Sequence, residues 1–182
     1  MKTISSITLI LSLQTLLFMI SISSSNAKTF FPNDITQITF TCSRTPYPNQ
    51  CVASLIIYPG SDKLTVYGLA GVLLNNAIRV KANTAIAKIH QLQKAGVGPK
   101  QGLASCASKY NAILVTHIPQ ANAAFEKGDF KGAELGAIAA ANEASSCETV
   151  FPGHLTEENT NSRAVAADAA AVVKTTYSIT QN

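Results

Sequence analysis

The stretch Leu64–Leu92, "LTVYGLAGVLLNNAIRVKANTAIAKIHQL", carries an apolar or small residue at every third or fourth position. These residues are Leu64, Tyr67, Gly71, Leu74, Ile78, Ala82, Ala85, Ile89 and Leu92. Because an α-helix turns once in about 3.6 residues, this spacing predicts one buried face of a long amphipathic helix. Ser61 or Asp62 can cap its start, and the segment Ala95–Pro99, which contains two glycines and a proline, ends it.

Three more helices follow with the same periodicity. The second is predicted over Lys100–Lys127 with a kink at Pro119, and Asp129 is the predicted N-cap of the third. Thr156 caps the fourth helix, which ends near Tyr177. The inward residues are Leu103, Cys106, Tyr110, Ile113, His117, Ala121, Ala133, Ala137, Ala140, Ala144, Cys147, Phe151, Val165, Asp168 and Val172. No alternating run of β-branched residues is long enough for a sheet, so the sequence predicts an all-α fold, an up-down-up-down four-helix bundle.

The chain contains four cysteines, which in a secreted protein indicate two disulfides. Cys106 and Cys147 lie on consecutive antiparallel helices, equally far from the turn at Glu126–Lys127, so they lie at the same height and on the inward faces. This geometry favours a Cys106–Cys147 disulfide and leaves Cys42 to pair with Cys51. A zinc site is the alternative, but the gaps between the cysteines are far longer than zinc ligands have.

The segment "CSRTPYPNQC", Cys42–Cys51, then closes a small helical hairpin ahead of the bundle. Its two helices are predicted within "FPNDITQITFTC" and "PNQCVASLIIY", with Pro48 near the start of the second. Helices this short are marginally stable alone. A disulfide across their turn is expected to keep the hairpin compact.

The N-terminus predicts a secreted protein. Residues 1–27 combine Lys2, an apolar run and small residues at Ser25 and Ala27, as in a cleaved secretory signal peptide. A signal anchor is the alternative, but the apolar run is shorter than a membrane span needs. The mature chain, residues 28–182, is predicted to be one domain, with a hairpin arm over 28–60 and the bundle over 61–182. We expect it in the extracellular space and cell wall (apoplast), or in the vacuole, with no membrane attachment after cleavage.

Neither the charge nor the motifs of the chain indicate nucleic-acid binding or catalysis. The net charge of +4 is spread along the sequence, whereas nucleic-acid binding needs a basic patch. The chain lacks G-x-S-x-G, H-E-x-x-H and glycine-rich nucleotide motifs, and His90, His117 and His154 have no obvious carboxylate partner in the sequence. His117, on the inward face, is expected to be a core histidine. We therefore expect a protein that is not an enzyme and that uses no metal or cofactor.

Several of these features together resemble the plant invertase/pectin methylesterase inhibitor family. They are the signal peptide, the Cys42–Cys51 pair enclosing Thr45–Pro48, Cys106, "SSCETVF" around Cys147, and "KGDFKGAE" at the third turn. The resemblance covers essentially all of the mature chain. It implies a four-helix bundle preceded by a helical hairpin, with disulfides between the first and second and the third and fourth cysteines. It also implies a secreted inhibitor that blocks a carbohydrate-active enzyme in a one-to-one complex.

The family divides by target, and the third turn of this chain resembles both branches. Gly128-Asp129-Phe130 is similar to the Gly-Asp-Tyr of pectin methylesterase inhibitors, and this likeness favours pectin methylesterase as the target. Phe130-Lys131-Gly132 keeps only the central lysine of the Pro-Lys-Phe of invertase inhibitors, so acid invertase (fructosidase) is the alternative. The predicted target-binding residues are Gly128, Asp129, Phe130, Lys131, Glu134, Asn142, Ser145 and Ser146.

A third interpretation is a helical carrier of a small ligand, or a wall protein with no enzyme target. The alanine-rich face of the third helix argues against it, because close contact between helices leaves little room for a cavity.

Overall fold

Six helices form the part of the chain that the computed structural model describes, residues 35–180. The predicted signal peptide lies outside these residues. Two short helices come first, and four long ones follow, of which the first two each contain a π-helical segment. The α-helical bounds are α1 Thr36–Cys42, α2 Pro48–Ile56, α3 Val66–Val72, α4 Ile78–Ala95, α5 Lys100–Ala112, α6 Ile118–Glu126, α7 Phe130–Val150 and α8 Thr156–Thr180. The first bundle helix is thus α3 with α4, the second α5 with α6, the third α7 and the fourth α8.

The predicted hairpin and bundle are both confirmed. Helices α1 and α2 are joined by the disulfide Cys42–Cys51, with Cα atoms 5.5 Å apart. In the bundle, the third helix packs against the second and the fourth, and the first also packs against the second and the fourth. The disulfide Cys106–Cys147 joins the second and third helices, with Cα atoms 4.8 Å apart. Both pairings are those predicted from the sequence.

The alanine-rich face of the third helix is buried, as predicted. Ala133, Ala137, Ala140 and Ala144 are each at most 2% exposed. Such small side chains let neighbouring helices approach closely. The approach is close at Gly136, where an added Cβ would lie 2.7 Å from the Cβ of Ala121 on the second helix.

We therefore expect Gly136→Ala to lower the free energy of unfolding by about 1–2 kcal/mol, since overpacking outweighs the better helix propensity of alanine. Gly71→Ala is the matched control, because its Cβ would meet only Phe125, at an ordinary 3.8 Å. The control should stabilise the protein by up to about 1 kcal/mol. Urea unfolding of both variants measures the difference, and an equally stable Gly136→Ala protein would contradict the tight contact.

Two helix starts differ from the prediction. The first bundle helix is capped by Thr65, whose side chain accepts a hydrogen bond from the Gly68 amide at 3.3 Å, and Ser61–Lys63 forms a separate 3₁₀ turn. Thr156 is the first residue of the fourth helix, and its hydroxyl donates to Glu148 at 2.7 Å. Serine, threonine and aspartate can all cap a helix, so the residue types alone do not show which of several neighbouring candidates is the cap.

A kink was predicted at Pro119, and the second bundle helix contains a π-helical segment just before it, Ile113–His117. A proline lacks an amide hydrogen and crowds the carbonyl four residues earlier, and a wider turn accommodates it. The first bundle helix contains a similar segment, Leu73–Ala77, without any proline. Just before it, Tyr67 is 47% exposed instead of facing the core, and its ring stacks on Phe125 at 4.4 Å.

Phe151 closes the end of the bundle where the third helix leads into the fourth. Its side chain is 1% exposed and lies against Gly98, in the connection between the first and second bundle helices, and Gly102, in the first turn of the second. A Cβ added at Gly98 or Gly102 would come within 2.6 Å of the Phe151 ring, so glycine is needed at both positions. The His154 ring stacks on the other side, with centroids 4.5 Å apart.

Candidate functional site

The turn between the second and third bundle helices is built from Gly128 and Asp129. Gly128 has a φ of +78°, a left-handed conformation that favours glycine. Asp129 is the N-cap of the third helix, as predicted, and its Oδ1 accepts a hydrogen bond from the Gly132 amide at 2.8 Å. The cap fixes the direction in which the helix begins, and with it the position of Lys131.

Phe130 anchors this turn to the bundle. Its half-buried ring lies 5.6 Å from Phe125 on the second helix and 6.3 Å from Tyr67 on the first. Tyr177 of the fourth helix completes the cluster, with its ring 6.4 Å from that of Phe130. All four bundle helices therefore contribute to this end, and Phe130 packs mainly against the protein itself.

Lys131 is the most prominent charge near the turn. Its side chain is 70% exposed, and the ammonium lies 2.9 Å from a carboxylate oxygen of Glu134. An exposed pair of this kind contributes about 0.2–0.5 kcal/mol, so a binding partner could readily take the lysine from it. Glu134 itself is largely covered, with 16% of its side chain exposed.

A groove runs between the third and fourth helices, with a volume of about 470 Å³. Its floor is made of alanines, and charged residues stand toward its ends. The third helix contributes Glu134, Ile138, Ala141, Asn142 and Ser145. The fourth helix contributes Arg163, Ala167, Ala170, Ala171 and Lys174.

The groove brings together three of the predicted target-binding residues, Glu134, Asn142 and Ser145. The turn Gly128–Lys131 adjoins it through the ion pair to Glu134. Ser146 is half-buried and is not among the groove's lining residues. Lys131 and Asn142 are eleven residues apart on one helix, or about 16 Å, so Lys131 and the three groove residues extend along one elongated stretch of the third helix.

The contribution of the fourth helix was missed from the sequence. Arg163, Ala167, Ala170 and Lys174 recur at steps of four, three and four, which places them on one face of that helix. The inward spacing of Val165, Asp168 and Val172 indicates only the buried face of this helix. Arg163 and Lys174, which stand on either side of an alanine-rich run, were the available signal for the groove-facing side of this helix.

At the Arg163 end, the groove meets a polar pocket of about 330 Å³. The one carboxylate that lines this pocket, Glu148, is already hydrogen-bonded within the protein. Glu148 accepts hydrogen bonds from Asn159 at 2.6 Å, from the Thr156 hydroxyl, and from the Gly153 amide at 3.1 Å. The bond from Asn159 is the main reason that the pKa of Glu148 lies below its ordinary value. A carboxylate held in this way ties the loop to the helices and is a poor proton donor.

The histidines lie apart from one another. His117 is half-buried, and contrary to the sequence reading it has a carboxylate neighbour, with its Nε2 3.7 Å from Glu143, which also pairs with Lys109 at 3.3 Å. His90 and His154 are exposed. Within residues 35–180, no group of three or more His, Cys, Asp or Glu side chains could hold a metal ion. None of the helices described there is long and apolar enough to cross a membrane.

Comparison with known proteins gives a consistent result. Residues 36–180 match the family model for plant invertase/pectin methylesterase inhibitors. The chain is 35% identical, over 113 residues, to cell wall/vacuolar inhibitor of fructosidase 1 of Arabidopsis thaliana. That match covers 62% of this chain and 55% of the relative, so it spans about half of the relative's length.

Two solved structures share the fold. A mutant form of a pectin methylesterase inhibitor from Arabidopsis superposes with a TM-score of 0.63 at 18% identity, covering 76% of this chain and 95% of that one. A second crystal structure of a pectin methylesterase inhibitor, from Arabidopsis thaliana, gives a TM-score of 0.55 at 18% identity, covering 78% and 96%. At this identity the likeness establishes the fold alone.

Proposed function

Because the chain belongs to the plant invertase/pectin methylesterase inhibitor family, we propose that it is a secreted protein inhibitor of a plant carbohydrate-active enzyme. The family match over nearly all of the described residues carries this proposal. The chain acts by binding and not by catalysis, in a one-to-one complex in the cell wall or vacuole. The signal peptide predicted over residues 1–27 supports the secreted location.

Acid invertase is the first candidate target. The relative with substantial sequence identity, 35%, is an inhibitor of fructosidase, whereas the pectin methylesterase inhibitors are similar at only 18%. This comparison gives more weight to the alternative that the sequence left open. Pectin methylesterase remains the second candidate, because the turn Gly128-Asp129-Phe130 resembles that branch.

The exposed turn fits a glycoside hydrolase as partner. Enzymes that cleave glycosidic bonds generally carry two carboxyl groups on either side of the scissile bond. Lys131 presents an ammonium at a capped turn, and Glu134 holds it only through an exposed ion pair. In the complex, the Lys131 ammonium approaches those carboxylates and the groove beside it receives an adjoining segment of the enzyme.

The rigidity of the surface supports affinity. The third helix is joined to the second by the Cys106–Cys147 disulfide, and it packs closely on its neighbours through its alanines. A surface that is ordered before binding loses little conformational entropy when the complex forms. A modest set of contacts along the groove can therefore give useful inhibition.

Titration of purified acid invertase and of purified pectin methylesterase with this protein tests the proposal. We expect invertase activity to be lost completely near one molecule of inhibitor per molecule of enzyme. Inhibition of pectin methylesterase alone would establish the second candidate. If neither enzyme lost activity or bound the protein, the inhibitor function would be wrong, and a ligand recovered from the purified protein would favour the carrier interpretation.

Lys131→Glu should weaken inhibition at least about tenfold, or 1.4 kcal/mol, because it places a negative charge against the target's carboxylates. Thermal stability should stay nearly unchanged, since the Lys131 side chain is 70% exposed and an i,i+3 ion pair contributes only about 0.2–0.5 kcal/mol. Lys100→Glu, an exposed residue at the start of the second bundle helix, is the charge-matched control and should inhibit like the wild type. Equal inhibition constants for both variants would remove the turn from the interface.

A further inference from the structure

The hairpin is docked on the bundle through buried apolar residues, among them Ile38 and Leu55, and through one buried carboxylate of the fourth bundle helix. The backbone amide of Tyr47, in the turn between α1 and α2, donates a hydrogen bond to Oδ1 of Asp168 at 2.8 Å. Asp168 is 0% exposed and Thr45, in the same turn, is 8% exposed. The turn that the Cys42–Cys51 disulfide closes is thus held against the middle of α8.

This carboxylate is only partly satisfied. Its second oxygen, Oδ2, is buried without a hydrogen-bond partner of good geometry in the structure. An ionised carboxylate accepts hydrogen bonds at both oxygens, and burying its charge without them is costly. Burial accordingly raises the pKa of Asp168 from the ordinary 3.8 to about 6, although the Tyr47 amide and the nearby Thr45 hydroxyl act in the opposite direction.

No cation in the described residues compensates this charge. On the hairpin, the Arg44 guanidinium lies over the Phe40 ring, 4.4 Å from its centroid. On α8, Arg163 lies 5.4 Å from the centroid of the Tyr47 ring, and on the first bundle helix Arg79 bonds to Asn75. Lys174, also on α8, is exposed and lines the groove. Protonation of Asp168 therefore adds to the core packing of Ile38 and Leu55 in holding the hairpin.

We propose that Asp168 is a pH-sensitive latch, which holds the hairpin on the fourth helix when its carboxyl is protonated and loosens it when the carboxyl ionises. The pKa of Asp168 is higher when the hairpin is docked, so docking takes up a proton. Hairpin docking is therefore firmest below about pH 4, weakens as the pH rises to about 6, and changes little above that. This device concerns the hairpin and does not depend on which enzyme the protein binds.

Hydrogen exchange of the full mature chain tests the latch. Protection factors, corrected for intrinsic exchange rates, are measured at pH 4.5 and pH 7 for amides of α1–α2 and of the third bundle helix. We expect the hairpin's protection to fall on the order of tenfold between these pH values, relative to the third helix. In Asp168→Asn, which is neutral at every pH, the hairpin's protection should be the same at both.

Glu126→Gln is the control, because it removes an exposed carboxylate at the end of the second bundle helix and should keep the wild-type pH response. A hairpin protection factor that is flat in the wild type, or a fall that persists in Asp168→Asn, would overturn the proposal. If Asp168→Asn does not fold, the carbon resonance of the Asp168 carboxyl in the wild type decides the matter. A midpoint near pH 6 supports the latch, and a midpoint near pH 4 refutes it.

Discussion

Replacing Cys106 and Cys147 together with serine should lower the free energy of unfolding by about 4 kcal/mol, because the disulfide closes a long loop in the unfolded chain. The two residues are 41 positions apart and both are fully buried. Without the bond, the second and third helices can also shift against each other. We therefore expect inhibition to weaken at least about tenfold even under conditions in which the variant is folded.

The matched control is the double replacement of Cys42 and Cys51. These cysteines are only 9 positions apart, so the loss should be under about 3 kcal/mol on the same entropic argument. This disulfide does not constrain the third helix, which carries Lys131, and the hairpin meets the groove through Tyr47, which lies under Arg163. Inhibition should therefore weaken less than in the Cys106/Cys147 variant. Unfolding in urea and inhibition constants measure both effects. A folded Cys106/Cys147 variant with wild-type inhibition would show that the disulfide does not organise the binding surface.

Phe151→Ala should lower the free energy of unfolding by about 3–5 kcal/mol. The phenyl ring occupies a site formed by the glycines at 98 and 102 and covered by His154. Neither glycine has a side chain that could fill the space left by the ring. The vacated volume should therefore remain as a cavity.

Val150→Ala is the control for this substitution, because Val150 is the preceding residue and is 46% exposed. It should change stability by less than about 0.5 kcal/mol. Thermal or urea unfolding compares the two variants. A loss below about 1 kcal/mol in Phe151→Ala would mean that the loops collapse into the space and that the ring is not needed there.

Much of the fold could be predicted because it depends on local patterns. The spacing of apolar residues predicted all four bundle helices, Asp129 was recognisable as a cap, and the turn beside Lys127 placed Cys106 opposite Cys147. Each of these signals acts over one helix or one hairpin. The stability of a helix, a cap or a hairpin turn depends mainly on residues that are close in the sequence.

The features that escaped prediction depend on distant partners. Asp168 was assigned to the inward face of its helix, but its contact with the Tyr47 amide joins residues 121 positions apart. The groove needs two helices side by side, and neither periodicity alone shows it. The π-helical segment Leu73–Ala77 contains no proline that could predict it. Its apolar spacing also fits a regular α-helix.

The placement of the two disulfides gives the molecule two covalent bodies on one chain. One bond closes within the hairpin and the other within the second and third bundle helices, so neither crosses the linker between Ile57 and Thr65. A protease that nicks the turn at Gly128 leaves both fragments tethered through Cys106–Cys147. A cut in the linker frees the hairpin to diffuse away once it undocks. The connection at 96–99 and the loop at 151–155 are likewise crossed by neither disulfide, so in a protease-rich medium the intactness of this protein depends on these three connections.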